Sequence, residues 1–185
     1  MRRSPNFPGS VNEIDFQTAL GRLLRDASLR EQFARNPSAV AALLHLRLAE
    51  RAHLAKLSPG DIEIQATILL RKRFDAVRHL IPRTTHGLGS KAWELFQAHA
   101  RQFWPDSPDM EVRDTESFCS HLAAVAPAAL CPVEMNRLRF HLGRERISIH
   151  HIRHFPIRGR TRRALQVLVR RRHGWSEHAL YFALD

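Results

Sequence analysis

The sequence predicts an α+β protein, an N-terminal multi-helix bundle with a C-terminal three-stranded antiparallel sheet. Three observations lead there. Apolar residues recur at helical spacing as far as residue 142, they alternate with polar ones from Arg146 onward, and the arginines gather where the period changes.

The helical part can be read element by element. Asp15 caps a helix in which Phe16, Leu20, Leu23 and Leu24 form one stripe. Ser28 opens a short helix with Leu29 and Phe33 on one face, and Asn36-Pro37 starts another with Val40, Leu43 and Leu44 inward. A helix from about Leu48 to Leu57 follows. Ser58-Pro59 begins the longest one, with Ile64, Ile68, Phe74, Val77 and Ile81 expected on its buried face and Pro82 as its end. PRTTHGLGS reads as a turn-rich connector, and WPDSPD ends the next helix, which carries Ala92, Leu95, Phe96, His99 and Phe103 on one side. Two more helices are expected, near Thr115 to Val125 and from Pro132, the latter with Met135, Leu138 and Phe140 inward. That makes six or seven short helices.

The strands then follow from alternation. Ile147 and Ile149, next Leu165, Val167 and Val169, and last Leu180, Phe182 and Leu184 recur with period two, with PIRGR and HGW as hairpin turns. A bulge at His150-His151 would bring Ile149 and Ile152 to one face. A meander of this length cannot bury a core alone, so one face should lie on the helices. The expected organisation is a flexible tail over 1–11, a helical domain over 12–142 and a basic meander over 143–185.

Composition bounds the function. The net charge is +11, and residues 137–185 hold twelve arginines and no lysine against three acids, or +9 of that total. An anionic partner is implied. The chain has no run of eighteen apolar residues to span a membrane, and MRRSPNFPGS has no apolar segment behind its charges to act as a secretory signal. Cys119 and Cys131 form no CxxC pair, which fits a reducing, cytoplasmic setting and two small apolar thiols.

Catalytic patterns are absent from the sequence: there is no GxSxG, HExxH, P-loop or GxGxxG. His150, His151 and His154, with His173 and His178, suggest a metal, but adjacent strand residues point to opposite faces and no carboxylate lies between Glu145 and Glu177. We expect no metal, no cofactor and no catalytic residue in this chain. The arginines Arg158, Arg160, Arg162, Arg163, Arg170, Arg171 and Arg172 leave three readings open: phosphate contact, steering of an acidic peptide onto a sheet edge, or protection of that edge against aggregation. The expected peptide-binding set is Ile147, Ile149, Arg163, Leu165, Val167, Val169, Arg170 and Arg171, with the open edge on the strand from Leu165 to Arg171 or its neighbour from Ile147. Nucleic acid is the less favoured partner, because few aromatic residues remain for stacking on bases.

Several blocks resemble a known family. LLRKRFDAVRHLIP, SKAWELFQAHARQFWPDSP, DTESFCSHLAAVAP and CPVEMNRLRFHLGRE are similar, in that order, to the helices of small partner proteins encoded beside multinuclear non-heme iron-dependent oxidative enzymes. LGRLLRDASLREQFARNPSAVAALLHLRLAERAHLAKL resembles a short helical domain fused to, or encoded with, the same enzymes. The resemblance covers roughly residues 16 to 145. It implies a heterodimer with a TIM-barrel iron enzyme, iron in that enzyme alone, and a recognition element that binds the leader of a ribosomal precursor peptide. The size and the third strand are most like the companions in 3-thiaglutamate biosynthesis, which implies excision of the β-carbon of a precursor cysteine by the enzyme. The alternative is a DNA-binding transcription regulator using the basic C-terminal region.

Overall fold

A computed structural model describes residues 14–106, 109–157, 160–172 and 174–182. The expected tail over 1–11 and the hairpin positions 158–159 and 173 lie outside the described residues. Within them, nine α-helices precede a three-stranded antiparallel sheet, an α+β arrangement as predicted. The chain divides into two compact units, residues 1–71 and 72–185.

The first unit is built from short, locally capped helices: α1 (Phe16–Arg25), α2 (Ala27–Arg35), α3 (Pro37–Leu43), α4 (Leu48–Ala55) and the start of α5 (Pro59–Leu80). Asp15 accepts from the Thr18 amide at 2.7 Å, Asp26 from Leu29 at 3.0 Å and Asn36 from Ala39 at 3.0 Å, each satisfying an amide that the helix start leaves orphaned. Leu23, Phe33, Leu46 and Leu54 are fully buried at the centre of this unit. Ile62 joins them, whereas Ile64 and Ile68, expected inward, are 57% and 42% exposed. Ile62-Ala66 and Ile64-Ile68 are two i, i+4 pairs on opposite faces of α5, and packing selects the first.

The second unit holds the rest of α5, then α6 (Pro82–Leu88), α7 (Lys91–Ala100), α8 (Met110–Val125), a 3-10 turn (Pro127–Ala129), α9 (Pro132–Leu142) and the sheet. PRTTHGLGS is therefore largely helix and not a connector. Pro82 supplies the fixed φ of a first helical residue, and the cap comes from α9: Glu134 accepts from the Arg83 amide at 2.7 Å, the Thr84 amide at 2.9 Å and the Thr84 hydroxyl at 2.7 Å. Phe96 and Phe118 meet edge to face at 5.3 Å in the interior.

The strands β1 (Ile147–Ile157), β2 (Arg160–Arg171) and β3 (Gly174–Phe182) pair in the order β1-β2-β3. Ile152, Phe155, Ala164, Gln166 and Leu168 are buried on one face, where Val133 of α9 joins their cluster. The register shifts between Ile152 and Phe155, so the bulge falls at Arg153-His154 and not at His150-His151. Ile149 and Ile152 consequently face opposite ways. The shift lets two bulky residues three positions apart, Ile152 and Phe155, both point inward.

Candidate functional site

The other face of the sheet carries most of the expected peptide-binding residues. Ile147 pairs with Val169, Ile149 with Val167 and His151 with Leu165. On the far side of β2, Leu165 pairs with Leu180, Val167 with His178 and Val169 with Ser176. Directly opposed residues share a face, so Ile147, Ile149, Leu165, Val167, Val169 and Leu180 form one apolar stripe across three strands. It is open: Ile147, Ile149 and Leu180 are 59%, 60% and 54% exposed. Arg163 and Arg171 have the same parity on β2 and stand at the two ends of the stripe, both exposed. Among the described strand residues the only acid is Glu177, whose parity is that of the helix-facing side.

Two expectations need correction. The strand from Leu165 to Arg171 is no open edge, because β2 is the central strand and its backbone is paired on both sides. Arg170, expected to meet a peptide, points the other way and closes the end of α9. Its guanidinium donates to the carbonyls of Phe140 at 2.5 Å, Gly143 at 2.9 Å and Glu145 at 3.2 Å, and lies 5.0 Å from the Phe140 ring centroid. The Phe140 carbonyl is an orphan of the last turn of α9, and a cation is the favoured partner there.

The edges are β1 and β3, and they differ. β1 has the bulge, an arginine within it and Pro156, which has no N–H to offer; each of these discourages further pairing. β3 pairs with β2 from Gly174 to Phe182 without a register shift and contains neither proline nor lysine nor arginine. A regular edge of this kind is a template for another strand. It is also firmly held: Glu177 accepts from Gln166 at 2.9 Å and pairs with Arg137 of α9, and Trp175 meets Phe140 edge to face at 6.4 Å. Leu180, His178 and the β3 edge are absent from the expected peptide-binding set, although the period-two run Leu180-Phe182 marks a third strand there.

Other polar clusters read as structural. Arg73 grips Asp114 with two hydrogen bonds of 2.9 and 2.8 Å, and His99 Nε2 lies 3.6 Å from the same carboxylate, all in the interior of the second unit. Burial pushes the Asp114 carboxyl up, but His99 and Arg73 outweigh it and hold the group below its ordinary value. Burial, with Glu134 and Glu116 adding to it, pushes the Cys119 thiol up to about 12, so no thiolate nucleophile forms there near neutral pH. Among the described residues no group of three or more His, Cys, Asp or Glu is placed to hold a metal ion. Nor is any described helix long and apolar enough to cross a membrane. No protein-family model, curated protein or solved structure matches the chain.

Proposed function

We propose that the protein is a non-catalytic partner subunit that captures an extended acidic peptide, the leader of a ribosomal precursor, as a fourth strand on β3. In this reading it presents the precursor's cysteine to a TIM-barrel multinuclear non-heme iron enzyme, which carries out the oxidative step, β-carbon excision of the 3-thiaglutamate type. The observation that carries the peptide half is the contrast between the two edges: β1 is blunted by a bulge and Pro156, whereas β3 pairs without a register shift and its sequence has no proline, lysine or arginine. Backbone pairing along β3 would supply affinity without dependence on the peptide's sequence. Arg163 and Arg171, one strand in from the edge, lie about 10 Å from an added strand, about one Debye length at 0.1 M salt, and so favour an acidic one, more strongly at low salt. The ordered helical resemblance supports the identity of the enzyme. The subunit's contribution to rate is then positioning, through raised effective concentration.

Hydrogen exchange of the full chain with a synthetic acidic peptide of alternating glutamate and valine, as long as β3, tests the reading. Binding should be one-to-one, with slowed exchange at the amides of residues 174–182 and a modest dependence on salt. Saturation with no change along β3 would remove the proposal. A duplex DNA that binds more tightly, with affinity falling steeply as salt rises, would favour the transcription regulator instead.

A further inference from the structure

Strand capture leaves the outward face of the sheet unexplained. A peptide paired to β3 lies in the plane of the sheet, beside it, and does not cover the exposed Ile147 and Ile149 or the half-buried Leu165, Val167 and Val169. An antiparallel sheet with one face in water ordinarily turns polar side chains outward. Here the outward positions between Arg163 and Arg171 on β2 are all apolar, and they are continuous with exposed isoleucines and a leucine on both neighbours. A contiguous apolar patch rimmed by charge marks an interaction surface.

We infer that this face is a second interface, which receives an amphipathic helix of a partner protein whose apolar stripe is bordered by acids. Three properties select that occupant. An extended segment laid flat on a sheet face would leave its own N–H and C=O groups unpaired, whereas a helix satisfies its backbone internally. The dimensions match: three strands span about 10 Å and the stretch from Arg163 to Arg171 about 26 Å, the width of one helix and the length of one of roughly 17 residues. The charge is complementary, since Arg163 and Arg171 stand at the ends, the bulge places Arg153 opposite Arg163, and the described residues of this face include no carboxylate. A second copy of the chain would bring like charges together.

The interface does not depend on strand capture, and one experiment separates them. The full chain is titrated with a synthetic helix of about 18 residues, leucines on one face and glutamates along its borders, and with a twin carrying lysines in place of the glutamates. The glutamate helix should shift the methyl resonances of Ile147, Ile149, Leu165 and Leu180, and the lysine twin should bind at least tenfold more weakly. Ile149→Ser should weaken the glutamate helix about tenfold while Leu168 keeps its amide protection, because the replaced side chain is exposed and no part of the core. Equal binding of the two helices, unmoved methyls, or a free protein already dimerised through these methyls would overturn the inference. Shifted methyls with an unresponsive β3 edge would instead count against strand capture alone, and the reverse against the helix interface alone.

Discussion

Asn136 Nδ2 donates to Gln166 Oε1 at 3.0 Å, and this buried amide pair joins α9 to the middle of the central strand. Gln166 uses its own amide group as donor to the Val133 carbonyl at 3.1 Å and to Glu177 at 2.9 Å, so one side chain ties together a helix and two strands. A polar side chain that is 1% exposed is tolerated only because every polar atom is paired.

Gln166→Ala should therefore cost about 2 kcal/mol, because Asn136 and the Val133 carbonyl lose a partner inside the protein. Urea unfolding followed by tryptophan fluorescence measures it, since Trp93, Trp104 and Trp175 all lie in the second unit. A variant of unchanged midpoint would mean that water replaces the amide at no cost.

The elements that were legible in the sequence are those whose determinants are local. Asp15 and Asn36 cap helices through amides three residues ahead, a relationship that spacing displays, whereas the second helix starts on Asp26, two residues before the expected Ser28. The helix α6 was illegible because its cap, Glu134, is some fifty residues away. The outward stripe on β1 and β2 was legible from period two. The bulge was not, since Ile149-Ile152 and Ile152-Phe155 have the same spacing and only pairing with Ala164 and Arg162 distinguishes them. β2 as an open edge, however, was excluded by the predicted meander itself, in which connectivity puts the middle strand at the centre.

Acid should weaken the second unit through Asp114. Its folded-state value is held below the ordinary 3.8, so its pairing contributes fully above that pH and the contribution is lost as pH falls through the lower, folded value. Asp114→Asn, which leaves the Arg73 charge buried without its counter-ion, should cost about 3 kcal/mol at pH 7. As the wild type itself becomes protonated the difference should shrink. Urea midpoints of the two proteins at neutral pH and again well below 3.8 provide the comparison, and a constant gap would show that the charge of Asp114 contributes nothing.

The two thiols should react in a fixed order. Cys119 is fully buried with its thiol pushed up to about 12, whereas Cys131 is only half-buried at the start of α9. Iodoacetamide at pH 8 should label Cys131 alone in the native protein and both residues in denaturant, read by mass spectrometry of the peptides. Native labelling of Cys119 at a comparable rate would require frequent opening of the interior around Phe118 and Leu122.

Arg170 and Arg171 are neighbours of identical chemistry turned to opposite faces of β2, and this makes them a test of which arginines serve the fold and which serve a ligand. Arg170→Ala removes the donor to three carbonyls in and just beyond the last turn of α9 and should lower stability by about 1 kcal/mol, a modest figure because the side chain is partly solvated. Arg171→Ala removes an exposed side chain for which no hydrogen bond or ion pair is found among the described residues, so stability should stay within about 0.5 kcal/mol. Its effect should fall on the association rate of an acidic peptide, which should drop several-fold and become less sensitive to salt, with the dissociation rate nearly unchanged. Stopped-flow binding alongside urea unfolding of both variants separates the roles. If Arg170→Ala slowed association while Arg171→Ala lowered stability, the facing of β2 described above would be reversed.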